Sequence, residues 1–399
     1  MTRLSSAGVV ILAGVSAALH VGKLAPALPA LRESLGISLL QAGFLLSLVQ
    51  LAGMSLGLAA GLAADALGLK RTMVLGLLIL SVAGAVGAQV HDMQGLLVLR
   101  AVEGLGFLLA VMPAPGLLRR SVLSDRLPTA LGLWGAYMPF ATALALFAGP
   151  FAIHGAGWEG WWRMVSAFST IMACWVGTSV SPDPAAVHAS ASPGWAVRLR
   201  RTMSARGPWL LALSFAAYSG QWLAVIGFLP SIYAQAGLAA STAALATGLA
   251  AAVNIAGNVG SGRLLQRGLA PQWLLYAGFA AMGVGSFLAF APLSAASPWS
   301  SLAQYAAVLL FSAMGGLIPG TLFALAVRLA PDEGTVSTSV GWMQQWSSAG
   351  QFAGPPVVAW VATQAGGWQW SWVVTGACAA IGIGLARQVE ILLSRERHA

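Results

Sequence analysis

Apolar residues fill this chain in long blocks, and polar residues collect in the breaks between them. A helix that crosses a bilayer needs about 20 mostly apolar residues. The pattern predicts twelve such helices, over roughly 7–30, 38–64, 70–90, 94–118, 128–151, 161–180, 208–233, 240–265, 271–293, 301–329, 336–362 and 369–392. One break is long. Residues 181–207 carry Pro182, Pro184, Pro193 and a basic run from Arg198 to Arg206, which predicts a linker lying on anionic headgroups. It divides an N-terminal bundle over 1–180 from a C-terminal bundle over 208–399. The predicted fold class is all-α and integral to the membrane, with two six-helix halves.

The halves repeat one another. Pro29, Gly36 and Gly61 recur as Pro230, Gly237 and Gly262, each 201 residues later. Phe147-Ala148-Gly149-Pro150 recurs as Phe352-Ala353-Gly354-Pro355, and Gly157-Trp158 as Gly367-Trp368. In duplicated membrane bundles the solute site lies between the halves, near the bilayer midplane.

Composition narrows the classes further. Charged residues make up 8% of the chain and mean hydropathy is +0.80, whereas a soluble domain carries about 25% charged residues. The net charge of +9 reads as a nucleic-acid signal only until the charges are placed. Sixteen cations fall in loops and termini of one side: Arg3, Lys70, Arg71, Arg119, Arg120, Arg126, Arg198, Arg200, Arg201, Arg206, Arg263, Arg267, Arg328, Arg387, Arg395 and Arg397. The other side has Arg32 and Arg163. The positive-inside rule puts both termini in the cytoplasm, in a bacterial-type inner membrane. With no groove-reading motif, nucleic acid is rejected as a partner. Met1 to Pro29 matches the start of the second repeat and is expected to be a retained first helix rather than a leader. Cys174 and Cys378 support neither a disulfide nor a metal site and are expected as packed thiols. Trp158, Trp161 and Trp162, and likewise Trp368, Trp370 and Trp372, stand where helices leave the membrane and are expected as interfacial anchors.

The loop after the second helix reads Gly61-Leu62-Ala63-Ala64-Asp65-Ala66-Leu67-Gly68-Leu69-Lys70-Arg71. A carboxylate at a helix end, a tight glycine turn and adjacent cations form a latch that pairs in one conformation and separates in another. The spacing of Gly61, Asp65, Gly68, Lys70 and Arg71 resembles the signature loop of the major facilitator superfamily. In the second half Gln266 stands where Asp65 stood. Together with the repeat and the central linker, the resemblance covers the whole chain, with some likeness to cyanate and organic-anion permeases. It implies two bundles rocking about a midplane cavity lined by helices one, four, five, seven, eight, ten and eleven. It also implies a proton gradient as the driver and no cofactor.

Candidate chemistry sits on three helices. Arg100 and Glu103 share one face of helix four, three residues apart. Glu103 is the carboxylate nearest a bilayer centre, so it is the candidate proton carrier, with a permanent ion pair as the alternative. Pro319 parallels Pro113, yet Ala306 and Leu309 stand at the places matching Arg100 and Glu103. Helix one carries His20 and Lys23. Drug–proton antiporters of the superfamily commonly have an acid nine residues before Pro29, where this chain has His20. That departure points to an anionic or neutral solute. Lys23 is the candidate anion ligand; pairing with Glu103 or snorkelling to the interface are the alternatives. His20 is a candidate second proton site or a hydrogen-bonded core histidine.

Polar residues expected to face the cavity are Gln50, Tyr137, Tyr218, Gln221, Trp222, Asn254, Asn258, Gln344, Gln345 and Trp346, although amides also join helices. The expected function is proton-coupled movement of a small organic anion by a monomeric permease in the lipid bilayer. Export of a drug-like or siderophore-like compound is the second reading, suggested by Gly149-Pro150. No metal-spaced His/Glu pair or phosphate loop supports an enzyme.

Overall fold

Proline decides where the first helix breaks. Pro26 has no N–H to give Gly22, and its ring crowds that carbonyl. Helix α1 (Ser6–Gly22) accordingly ends at a turn on Lys23, and α2 (Leu24–Leu35) resumes beyond it. The computed structural model describes residues 6–123, 130, 133–183, 195–291, 298–332 and 335–398. The second passage is also interrupted. It runs as α3 (Leu39–Ser47), a 3-10 turn over Leu48–Gln50 and α4 (Leu51–Leu67). Helices α5 (Leu69–Gly87) and α6 (Met93–Val111) follow, and Pro113 and Pro115 separate α6 from α7 (Ala114–Ser121). Helix α8 spans Tyr137–Ser179, with a left-handed break at Gly157 (φ 69°).

The remaining helices are α9 (Trp195–Ser204), α10 (Arg206–Gln235), α11 (Ala240–Gln266), α12 (Pro271–Phe290), α13 (Pro298–Gly315), α14 (Leu317–Arg328), α15 (Val336–Gln364) and α16 (Ser371–His398). No strand occurs among the described residues. Among the described residues ten stretches are long and apolar enough to cross a membrane. One of them, α8, has 43 residues, about two bilayer cores of helix, and bends into two at Gly157. Helix α15 adds another 29 residues, less apolar because of its glutamines and serines. These account for the twelve expected passages.

The repeat is legible in backbone geometry. Gly36 and Gly237 are both left-handed (φ 64° and 76°), as are Gly68 and Gly268 (φ 95° and 86°). Each closes a helix where a side chain would be strained. The chain divides into two compact units. The first comprises Met1–His188 with Ile226–Ala252; the second comprises Ala189–Val225 with Val253–Ala399.

Two expectations require correction. Trp158, Trp161 and Trp162 are buried inside the protein (4%, 7% and 1% exposed) rather than turned outward as anchors; they follow the left-handed turn at Gly157, and Trp161 and Trp162 meet Lys23 at the broken first helix. Trp370, by contrast, is exposed. Cys174 is also exposed rather than packed.

Candidate functional site

The first unit buries an ionic cluster. His20 and Lys23 come from the bend between α1 and α2, and Arg100 and Glu103 from α6; none is more than 1% exposed. Glu103 is shared. Its Oε2 accepts from Arg100 Nη1, and its Oε1 accepts from Lys23 Nζ and lies 2.9 Å from His20 Nδ1. Lys23 Nζ also sits 3.3 Å from that ring nitrogen and 4.2 Å above the indole of Trp162, a cation–π contact. Two basic side chains, formally cationic, thus surround one carboxylate. With a neutral imidazole the cluster carries a formal charge of +1. Ions in such surroundings are costly and persist only when paired and hydrogen-bonded.

The helix irregularities supply what the cluster needs. The bend at Lys23 leaves the His20 carbonyl open to Arg100 Nη1 at 2.7 Å. The 3-10 turn at Leu48–Gln50 shifts the local bonding, and Leu45 O accepts from Arg100 Nε at 3.1 Å. Trp161 Nε1 donates to Lys23 O at 3.0 Å, which holds the bend. Glycine makes room. A Cβ on Gly104 would lie 2.9 Å from the Val49 carbonyl carbon; one on Gly84 would lie 2.9 Å from His20 Cε1 and 3.0 Å from Glu103 Oε1. Arg100 Nη2 and Trp162 Nε1 are buried without a hydrogen-bond partner among the described residues.

His20 has a second set of partners on α8. Its Nε2 lies 3.0 Å from Ser169 Oγ, which lies 2.9 Å from Ser16 Oγ. A hydroxyl both donates and accepts, so Ser169 serves either imidazole tautomer. With the proton on Nδ1, His20 donates to Glu103. With the proton on Nε2, it donates to Ser169, and Nδ1 accepts from Lys23. Ser16, Ser169 and Trp162 were not among the expected site residues. Spacing could have found them. Ser16 precedes His20 by one helical turn, and Trp162, Ser166 and Ser169 fall on one face of α8.

The second unit holds a neutral counterpart. Asn254 Nδ2 donates to the Ser312 carbonyl at 2.8 Å, and Tyr218 Oη donates to Asn254 Oδ1 at 3.2 Å. Trp222 Nε1 donates to Ser312 Oγ at 3.1 Å, and Asn258 Nδ2 to Asn254 Oδ1 at 2.9 Å. Gln221 lies on the same helix, but its Nε2 bonds back to Ala217 O, outside this network. Gln344, Gln345 and Trp346 are half-buried on α15, where Trp346 packs edge-on against Trp209. In the first unit Tyr137 stacks on Trp134 at 4.3 Å between ring centres. Of the expected residues, His20, Lys23, Arg100 and Glu103 therefore come together in one cluster. Tyr218, Trp222, Asn254 and Asn258 come together in another.

The expected latch is described in part. Gly68 takes the conformation only glycine favours, and the Lys70 and Arg71 amides donate to the two oxygens of Asp183 at 3.0 and 3.2 Å. Asp183 also pairs with Arg120 at 3.2 Å. The side chain of Asp65, and the surroundings of Gly61, lie outside the described residues. Asp183 was not anticipated, although an acid just past a helix end is suited to cap a neighbouring helix.

A family model for the Major Facilitator Superfamily matches residues 8–349. The chain belongs to that superfamily. It is a multi-pass membrane protein of a transporter family, not an enzyme. It is 25% identical over 239 residues to the Cyanate transport protein CynX of Escherichia coli (strain K12), covering 58% of this chain and 59% of that protein. It is 35% identical over 106 residues to the Methylenomycin A resistance protein of Bacillus subtilis (strain 168), covering 26% of this chain and 23% of that one. The chain thus aligns to less than two thirds of either relative. Among solved structures it is similar to a bacterial homologue of the human lysosomal transporter Spinster in an inward-facing and occupied conformation. There the TM-score is 0.79 and identity 15%, covering 98% of this chain and 96% of that one. A variant of the Escherichia coli fucose:proton symporter FucP gives a TM-score of 0.67 and 17% identity over 95% and 97% of the two chains. These likenesses establish the all-α superfamily fold.

Proposed function

We propose that this transporter couples proton movement to movement of a small organic anion, by alternating access between two six-helix halves over 1–180 and 208–399. One observation carries the reading: a single buried carboxylate, Glu103, is shared by Lys23, Arg100 and His20. Protonating Glu103 removes the negative partner of two buried cations. Unpaired buried cations are costly, so an anionic solute gains affinity when the proton arrives. The proton and the anion then enter one charge balance, with His20 as the adjacent proton acceptor. The similarity to a cyanate transport protein supports a small anion. In this reading the protein works as a monomer in a bacterial-type inner membrane with both termini in the cytoplasm. Asp65 with Lys70 and Arg71 forms the latch, and Tyr137, Gln221, Trp222, Asn254, Gln344 and Gln345 contribute to the solute path.

Export of a drug-like compound is the second reading, favoured by the 35% identity to a resistance protein over 106 residues. Purified protein in liposomes separates the two. Radiolabelled cyanate and small carboxylates should accumulate faster under an imposed proton gradient. Lys23→Ala should lower that rate by about tenfold or more, the equivalent of one lost charge-assisted bond. Wild-type rates in Lys23→Ala, with transport of amphipathic compounds instead, would favour export.

A further inference from the structure

The second unit carries a groove of about 350 Å³ between the start of α10 and the end of α16. Arg206, Leu210, Gln388, Ile391, Leu392 and Arg395 line it. The four residues from α16 are spaced three, four and seven apart, so they share one helix face. Arg206 and Leu210 stand one turn apart at the start of α10. Two cations therefore flank a floor of three aliphatic side chains, with one amide between them.

Neither arginine has an ion-pair partner among the described residues. Two acids of the same unit are engaged elsewhere: Glu390 accepts from Tyr276 at 2.9 Å, and Asp332 pairs with Arg201 at 3.0 Å. Two guanidinium groups on one groove repel each other, and an anion between them turns that repulsion into two charge-assisted bonds. The aliphatic floor asks for something more than an anion. Ile391 is 37% exposed, and Leu210 and Leu392 are part-buried. Helix α9, which ends just before Arg206, carries Arg198, Arg200 and Arg201 together with exposed Val197 and Met203. That is the composition of a helix lying on an anionic membrane surface.

We infer that this groove binds one anionic phospholipid, its phosphodiester between Arg206 and Arg395 and its acyl chain along Leu210, Ile391 and Leu392. Gln388 donates to the headgroup. The site is separate from the ionic cluster and independent of which solute is carried. It ties the end of the last helix to the start of the seventh passage through a lipid.

The test uses the full-length protein in a mild detergent. Native mass spectrometry and thermal unfolding are recorded with phosphatidylglycerol, phosphatidylcholine or inorganic phosphate added. Phosphatidylglycerol should stay bound and raise the unfolding midpoint, while phosphatidylcholine should do neither. Arg206→Gln with Arg395→Gln should weaken phosphatidylglycerol binding by about tenfold or more. Arg395→Gln alone, at an exposed helix end, keeps the test valid if the double variant folds poorly. Arg267→Gln, in a loop of the same charge, should change nothing. Retention of phosphatidylglycerol by both variants at wild-type affinity would overturn the inference. So would inorganic phosphate matching or displacing the lipid, which would make the groove a free-anion site.

Discussion

In the first unit a carboxylate, two cations and an imidazole meet, none more than 1% exposed. In the second unit a tyrosine, two asparagines, a tryptophan and a serine meet with no charge among them. The scaffold around both is shared, down to left-handed glycines at Gly36 and Gly237. The chemistry is not. Gln221 stands where the first half has His20, and Ala306 and Leu309 where it has Arg100 and Glu103. Duplication has preserved what lets helices end and pack, while charge is concentrated on one side. Buried amides and hydroxyls join transmembrane helices at modest energy, about 0.6 kcal/mol for an average interhelical bond. Buried ions cost several kcal/mol each, so they persist where their charge is used.

The contrast can be broken from either side. The largest effect should follow Glu103→Ala, which strands Lys23 and Arg100 without their carboxylate. Loss of about 3–5 kcal/mol of stability is expected, read as a drop in thermal midpoint in detergent. Glu103→Gln keeps the shape and one acceptor oxygen, although its amide NH2 cannot accept from the cation it faces, and should cost less than Glu103→Ala. In the second unit Asn254→Ala leaves the Tyr218 hydroxyl without its partner and takes one of two donors from the Ser312 carbonyl, which keeps its bond from Gly316 N, at about 1–3 kcal/mol by the same measurement. Equal losses for Glu103→Ala and Asn254→Ala would remove the energetic distinction between the two networks. Ser169→Ala should be smaller, about 1 kcal/mol, because the neutral bonds to His20 Nε2 and Ser16 Oγ are lost while every ion pair stays. Its signature should lie in transport: with one imidazole tautomer left unsupported, the pH profile of uptake should shift, whereas a purely structural serine would leave it unmoved.

How much of this was legible in the sequence follows from what kind of signal each part sends. Twelve passages and the repeat are written in hydropathy and glycine spacing, and they emerge in the fold. His20, Lys23, Arg100 and Glu103 were legible because a charge in an apolar block stands out without any neighbour. The groups that complete the cluster did not stand out. Ser16 and Ser169 are small polar residues among many, and the Leu45 and His20 carbonyls have no sequence signature beyond nearby prolines. Trp161 and Trp162 looked like interfacial anchors because tryptophan next to a loop usually is one. They follow the left-handed turn at Gly157, and both indoles point inward instead, one onto the Lys23 carbonyl and the other under its ammonium. Asp183 was obscured by its place beyond a helix end, where its partners Lys70, Arg71 and Arg120 are distant in sequence.

The central claim is that one carboxylate links the proton to the anion. The direct measurement is uptake of a radiolabelled small anion into liposomes by wild type and Glu103→Gln, with and without an imposed proton gradient. The account predicts gradient-driven accumulation by wild type. For Glu103→Gln it predicts exchange of the anion across the bilayer at a rate indifferent to the gradient. Undiminished gradient-driven accumulation by Glu103→Gln would contradict it.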